Sequence, residues 1–188
     1  MATLLSLFSH TAFGQTKNEK EIRIKLTAFP KIAQDVIKSL PTNCKRLKYF
    51  LETDSTKRSF ELKFKYYKKH YSLEFTEDGQ IEDIEVLSTR HNINSIAKQN
   101  IDMYLSNTFL KYKFIKIQKQ YVFSIDEDPI AFVNNILNNE TQLSPNFEII
   151  INVKTNKKRE TREFLFSNSG EFLNQRTLSQ SSYEHVLY

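Results

Sequence analysis

The chain has 188 residues and a formal net charge of +5, a length that suits one domain or two small ones. Hydrophobic residues make up only 39%, but 15 Phe and 9 Tyr each remove a large area from water when they are buried. The three glycines argue against Gly-rich phosphate loops. The single cysteine, Cys44, excludes an intramolecular disulfide and a thiolate metal site. The basic residues are dispersed, so the charge permits nucleic acid or anionic surfaces as partners without requiring them.

The first 15 residues are uncharged apart from the N-terminus and predict the end of a secretory signal. Small residues at Ala12 and Gly14 suit a signal peptidase, and a short apolar core precedes them, formed by Leu4, Leu5, Leu7 and Phe8. We therefore expect a signal peptide over residues 1–14. Its basic opening segment is missing, so we expect Met1 to lie inside a longer leader. The alternative is a buried N-terminal helix or strand.

Residues 21–90 predict a first unit, which begins with a lead-in segment and a helix. Pro30 suits the first turn of a helix, apolar residues then recur at helical spacing, and Pro41 ends the pattern. A strand is predicted over residues 45–51. The unit continues into the most strongly patterned stretch of the chain.

That stretch, residues 59–86, predicts three strands. Apolar and polar side chains alternate, which is typical of a half-buried strand, and Gly79 marks a hairpin turn. The alternation slips between Ile81 and Ile84, which predicts a β-bulge near Glu82 and Asp83. One apolar face per strand indicates an antiparallel sheet that helices cover on one side.

Residues 91–180 predict a second unit of the same order. Its helix begins near Asn94 and Ser95, which suit an N-cap. An inserted helical segment is predicted at about residues 126–146. The predicted strands of this unit cover residues 111–125, 147–154, 163–167 and 171–173.

The two units show traces of a repeat. Phe75 and Gly79 have counterparts 91 positions later, and Ile32–Ala33 has a counterpart at Ile96–Ala97. The predicted fold class is therefore α+β, with a tandem repeat of one helix plus a four-stranded antiparallel meander and with the helices on one face of the joined sheet. Chance similarity is the alternative to a repeat.

The run from Tyr71 to Phe75, followed by Gly79 and by Ile81 to Glu85, resembles the PepSY-like family of exported Bacteroidetes proteins. The segment Glu21–Ile24, together with Phe29–Pro30, also resembles the start of the domain in proteins of that family. Leu73 and Thr76 depart mildly from the family's usual Val and Asp. The resemblance covers residues 21–87 well and 91–178 weakly.

The resemblance implies a fold related to that of the β-lactamase inhibitory protein, in which two helix-plus-four-strand units join their sheets into one curved surface. It also implies a periplasmic or secreted location. It brings no catalytic residues to this sequence.

The sequence predicts no enzyme and no cofactor. Its four histidines are far apart, and no HExxH, CxxC or Gly-rich phosphate motif is present. The acidic residues over 77–85 and 126–128 lack the order of an EF-hand, and turn and helix-start chemistry accounts for them. We therefore predict no catalytic, cofactor-binding or metal-binding residue.

The polar face of the predicted sheet is the remaining candidate for function. It would bring together Glu61, Lys63, Lys65, Tyr67, His70, Ser72 and Glu74. We single out four as partner-binding residues, because Tyr anchors many protein interfaces: Lys63, Lys65, Tyr67 and His70. A face that only meets solvent is the alternative.

The predicted function is that of an exported, non-catalytic PepSY-like binding module. It would use the open sheet face to contact a protein or envelope partner, with inhibition of a hydrolase as one form of that contact. A basic nucleic-acid-binding module is the alternative, although the leader argues against nucleic acid as a partner. The sequence leaves the oligomeric state undetermined.

Overall fold

The computed structural model describes residues 15–156 and 158–179, which form an α+β fold with three α-helices and one ten-stranded sheet. The helices are α1 (Lys31–Lys38), α2 (Ser95–Thr108) and α3 (Pro129–Asn138). The strands are β1 (Gln15–Lys17), β2 (Glu19–Arg23), β3 (Lys45–Asp54), β4 (Lys57–Tyr66), β5 (Lys69–Thr76), β6 (Ile81–Leu87), β7 (Lys111–Val122), β8 (Asn146–Lys154), β9 (Arg159–Phe166) and β10 (Phe172–Leu178).

The sheet is nearly closed into a barrel. From β2 to β10 each strand pairs with the next in an antiparallel way, whereas β1 pairs in parallel with β10 at the far edge. Only Asn18 separates β1 from β2, so the two edges of the sheet are joined by one residue of chain. The sheet is therefore mixed, where the sequence predicted a wholly antiparallel one.

The apolar face of β3–β6 carries one core, which α1 and α3 cover. Helix α1 contributes Ala33, Val36 and Ile37, and α3 contributes four large apolar residues. Leu62, Leu73, Phe75 and Ile84 of the strands are fully buried beneath them. Burying each such side chain contributes about 1.5–3 kcal/mol, so this face holds the helices in place.

The apolar face of β7–β10 carries a second core under α2. Ala97, Ile101 and Leu105 of the helix pack on Phe164 and Phe166 of β9. The helix begins at the predicted N-cap, because the Asn94 side chain accepts a hydrogen bond from the Ala97 N–H at 2.8 Å. In α3 the Asp128 side chain caps the helix in the same way, accepting from the Ala131 N–H at 2.7 Å.

Two turns that contain glycine pack closely against helices, one against the start of α1 and one against α2. Gly79 has φ +93° and Gly170 has φ +84°, a region that glycine adopts without strain. A Cβ at Gly79 would meet Pro30 Cβ at 2.7 Å. A Cβ at Gly170 would meet Ala97 Cα at 2.7 Å. Both turns therefore need glycine for close packing against α1 and α2, respectively.

The predicted β-bulge is confirmed. Glu74 of β5 faces Asp83 of β6, and the next residue, Phe75, faces Ile81, so that Glu82 is the extra residue. Because of the bulge, Ile81 and Ile84 both reach the core, and Asp83 and Glu85 both reach the opposite face. The predicted signal peptide, residues 1–14, lies outside the described residues, and the repeat itself stays a prediction.

Candidate functional site

The polar face of the sheet is its interior. The sequence predicted an open face, but β1 and β2 carry the sheet round on itself, and Glu61 and Ser72 on that face are 4% and 5% exposed. Alternation correctly shows which residues share a face. It does not show that the face curves inward, because that depends on the pairing of β1 with β10.

Part of the interior is an acidic cavity of about 220 Å³. Five basic side chains line it: Lys17, Lys57, Lys63, Lys116 and Arg176. Eleven carboxylates line it as well: Glu19, Glu21, Glu52, Asp54, Glu61, Glu74, Glu82, Asp83, Glu85, Glu148 and Glu163. The acidic groups outnumber the basic ones, so protons or other cations must neutralise part of the charge.

Ion pairs reinforce the seam where the sheet closes. Arg176 Nε of β10 donates to Glu163 Oε1 at 2.9 Å, and Lys17 Nζ of β1 donates to Glu163 Oε2 at 2.9 Å. Arg176 Nη1 also lies 3.6 Å from Asp54 Oδ2 of β3, on the other side of the seam. These contacts link the first, third and last strands of the described chain through their side chains.

One group of carboxylates, Glu21, Glu52 and Glu61, has a lysine in contact with two of its members, and we call it the lysine-filled cluster. Lys63 Nζ lies 2.6 Å from Glu21 Oε1 and 3.0 Å from Glu61 Oε2. Burial alone would lower the pKa of Lys63, but the carboxylates of Glu61 and Glu21 outweigh it and hold that pKa above its usual range. Burial would raise the pKa of Glu61, but Lys63 lowers it. The lysine is therefore a built-in counter-ion.

A second group, Glu74, Asp83 and Glu85, has no lysine or arginine in ion-pair contact within the described chain, and we call it the glutamine-backed cluster. Gln120 Nε2 donates to Asp83 Oδ2 at 2.8 Å, and Gln118 Nε2 donates to Glu85 Oε2. Burial raises the pKa of Asp83 to about 7. Burial also raises the pKa of Glu74 and of Glu85 well above the ordinary range, with neighbouring carboxylates adding to the effect.

One end of the interior is basic. A cavity of about 450 Å³, the basic cavity, shares Glu61, Lys63, Lys116 and Gln118 with the acidic cavity. Its cationic and histidine side chains come from four strands: Arg46, Lys48, Lys63, Lys65, His70 and Lys116. Partial burial and the charges of Lys65, Arg46 and Lys48 lower the pKa of His70, so the imidazole is held neutral in a positive field.

Backbone irregularities place two of these cations. Arg46 has φ +57°, and the register of β3 with β4 shifts between Lys45 and Lys48. This bulge near the start of β3 directs both Arg46 and Lys48 to the basic cavity.

Three of the four predicted partner-binding residues line the basic cavity, namely Lys63, Lys65 and His70. Tyr67 does not line it. Tyr67 lies in the turn between β4 and β5 with φ +50° and is 78% exposed, and its ring packs edge-on against Tyr66 with the centroids 4.6 Å apart. The prediction that these four residues bind a partner remains untested by this arrangement.

Sequence reasoning missed the acidic residues of β6 and the polar stripe of β7. Turn chemistry accounts for Glu77 and Asp78, which are exposed, but not for Asp83 and Glu85, which are 7% and 4% exposed. The available signal was polar alternation in β7, where Lys116, Gln118 and Gln120 recur at every second position.

No family model matches this chain, and no curated protein is similar to it. Solved structures are similar in fold. A DUF2874 family protein from Bacteroides ovatus has a TM-score of 0.52 at 9% identity, covering 79% of this chain and 87% of its own. A protein from Bacteroides eggerthii, provisionally named periplasmic, has a TM-score of 0.52 at 12% identity, covering 79% of this chain and 88% of its own.

A BLIP-like protein from Bacteroides fragilis gives a TM-score of 0.48 at 11% identity, covering 79% of this chain and 86% of its own. The predicted resemblance to exported Bacteroidetes proteins is confirmed as a likeness of fold to the Bacteroides ovatus and Bacteroides eggerthii proteins.

Proposed function

Starting from the fold that this chain shares with these Bacteroides proteins, we propose that it is an exported, non-catalytic binding protein whose basic cavity receives an acidic segment of a protein partner. The observation that carries the proposal is the convergence of cations from β3, β4 and β7 on one concave site. Within the described chain, Arg46, Lys48, Lys65 and Lys116 have no carboxylate within ion-pair distance. The charges of Arg46, Lys48 and Lys65 are therefore available to an anionic group from outside, whereas the charge of Lys116 also acts on Glu85 and Glu148 of the acidic cavity.

The shape of the site favours an acidic protein segment over a nucleic acid. A cavity of about 450 Å³ admits one or two side chains, whereas binding a nucleic acid calls for a groove that follows its backbone. Tyr67 stands exposed at the end of β4, close in sequence to Lys65 and His70, and exposed tyrosines commonly anchor protein interfaces. These features support the predicted partner-binding role of Lys63, Lys65, Tyr67 and His70.

Two observations support export. Residues 1–14 have the composition of a signal peptide, and one of the proteins of similar fold is provisionally named periplasmic.

In residues 15–156 and 158–179, no helix combines the length and apolar character that crossing a membrane requires.

The hydrogen bonding of Ser72 supports a non-catalytic role. Its hydroxyl donates to Glu61 Oε1 rather than to His70, although Ser72 and His70 both line the basic cavity, so the two are not paired as a nucleophile would be with its base. Inhibition of a hydrolase remains one form that partner binding could take, and enzyme assays with the purified protein would test it.

We also propose that the two halves of the sheet are copies of one helix-plus-meander unit. In support, Gly79 packs against Ala33 of α1 and Gly170 packs against Ala97 of α2, at positions that the sequence comparison had aligned. Superposition of the two halves in an experimental structure would test the duplication.

The binding proposal is tested by titrating the full chain with two blocked peptides, one of four glutamates and one of four glutamines, by isothermal titration calorimetry. We expect the glutamate peptide to bind and the glutamine peptide not to bind. The combined change Lys65→Glu and Tyr67→Ala should weaken binding at least about tenfold, since one charge is reversed and one anchor is lost.

The matched control is Lys111→Glu, which makes the same charge change on an exposed residue of β7 outside the basic cavity. It should leave binding within about twofold, because a single exposed charge contributes little. Equal losses in both variants, or equal binding of both peptides, would overturn the proposal. Tighter binding of an oligothymidylate, with a steep salt dependence, would favour the nucleic-acid alternative instead.

A further inference from the structure

We propose that the glutamine-backed cluster, Glu74, Asp83 and Glu85, binds a hard divalent cation such as Ca²⁺ or Mg²⁺. None of its three carboxylates lines the basic cavity, and the proposal does not depend on the partner-binding role proposed above. The sequence analysis predicted no metal site, because the acidic residues of β6 were assigned to turn chemistry.

The register of two strands brings the carboxylates together. Glu74 of β5 faces Asp83 of β6 directly, and Glu85 follows Asp83 on the same face of β6. One oxygen from each of the three carboxylates lies within 4.8 Å of the others. Calcium–oxygen distances are about 2.3–2.6 Å, so one ion among these oxygens can contact all three.

An unpartnered oxygen points to a missing ligand. Asp83 is only 7% exposed, its Oδ2 accepts from Gln120, and its Oδ1 is buried with no hydrogen-bond partner in the described chain. A buried carboxylate oxygen without a partner is costly, so such groups ordinarily meet a donor or a cation. Here neither comes from the described chain.

The other carboxylate cluster of this interior is neutralised by a cation. In the lysine-filled cluster, Lys63 contacts Glu21 and Glu61 directly. No ammonium or guanidinium group comes within ion-pair distance of the glutamine-backed cluster in the described chain. Lys17, Lys57 and Lys116 act on these carboxylates only from beyond that distance, so a directly bound positive charge has to come from solution, as an ion or as protons.

The donor atoms define the class of cation. All three side chains offer carboxylate oxygens, and neither histidine nor cysteine lines the acidic cavity within the described chain. Oxygen-only sites select hard cations over zinc or copper. Gln118 and Gln120 hold two of the carboxylates in place, as outer partners of metal ligands commonly do.

The test is isothermal titration calorimetry of the full chain with CaCl₂ and, separately, MgCl₂, after treatment with a chelator and at pH 7.5. We expect one site per chain and a Ca²⁺-dependent rise in melting temperature, because a ligand that binds only the folded state stabilises it. Asp83→Asn keeps the size of the side chain and should weaken binding at least about tenfold.

Glu21→Gln is the matched control, because it removes one carboxylate from the lysine-filled cluster of the same interior. It should leave the affinity within about threefold, an effect that long-range charge alone accounts for. Tighter binding of Mg²⁺ than of Ca²⁺ would support the site and identify its occupant. Absence of binding by both ions, or equal losses in the two variants, would overturn the proposal and leave protons as the neutralising species.

Discussion

The two carboxylate clusters share one interior but are neutralised in different ways. In the lysine-filled cluster, Lys63 of β4 lies between Glu21 of β2 and Glu61 of β4. In the glutamine-backed cluster, the neighbouring strand β7 presents Gln118 and Gln120, which donate hydrogen bonds but bring no charge. The difference is that one cluster contacts an ammonium group and the other contacts two neutral amides.

This comparison separates a structural role from a binding role. In the lysine-filled cluster, folding brings an ammonium group into contact with two of the three carboxylates, and burial raises the pKa of the third, Glu52. A cluster that has only amide donors remains short of positive charge until something is bound. The interior of the sheet therefore combines ion pairs that the chain itself supplies near the seam with a cluster that takes a cation or protons from solution.

The largest effect is expected from removing the built-in counter-ion. Lys63→Met should lower the free energy of unfolding by about 3 kcal/mol at pH 7.5, because it removes the ammonium group that contacts the Glu21 and Glu61 carboxylates. Urea denaturation measures the change. Lys57→Met is the control, because the Lys57 side chain is 63% exposed in its pair with Glu82 and should cost at most about 1 kcal/mol. Equal losses would mean that the cluster needs no internal cation.

A smaller effect is expected from Glu148, whose titration makes the free energy of unfolding depend on pH. Burial, with the Glu163 carboxylate adding to it, raises the pKa of Glu148 to about 7. The folded state therefore keeps a proton that the unfolded state loses above about pH 4.5, so this group lowers the free energy of unfolding between about pH 4.5 and 7. The loss is complete above that range.

Glu148→Gln should remove this pH dependence. At pH 8 the variant should have a free energy of unfolding about 1–3 kcal/mol higher than that of the native protein, and at pH 4.5 the two proteins should differ little. Denaturant titrations of both proteins at the two pH values measure the difference. A variant that is destabilised equally at both pH values would contradict the assigned pKa shift.

The smallest effects should have opposite signs in the two clusters. In the presence of a chelator at pH 8, Asp83→Asn should stabilise the fold by about 1 kcal/mol, because it removes a charge that nothing neutralises. Glu61→Gln should destabilise it by about the same amount, because it removes a partner of Lys63. Thermal melts of both variants test this contrast. The same sign in both would show that the clusters are electrostatically equivalent.

The sequence predicts the local features of this fold well. Alternation locates the strands of residues 59–86, the slip between Ile81 and Ile84 locates the bulge, and Asn94 caps α2 as expected. Each of these depends on neighbouring residues, so local patterns are sufficient.

The closure of the sheet could not be predicted in this way. It requires Gln15–Lys17 to pair with Arg176–Leu178, more than 150 residues away, and no local pattern records that contact. For this reason the sequence predicts Glu61 and Ser72 on an open face, although both are almost fully buried. The candidate cation site depends on closure for its burial, whereas the register of β5 with β6 already brings its three carboxylates together.

The most direct measurement is a crystal structure of the full chain grown in millimolar CaCl₂. The account predicts an ion among Glu74, Asp83 and Glu85, with oxygen distances of about 2.3–2.6 Å, and Lys63 still lying between Glu21 and Glu61. An empty glutamine-backed cluster, or an ion that displaces Lys63 from the lysine-filled cluster, would contradict it.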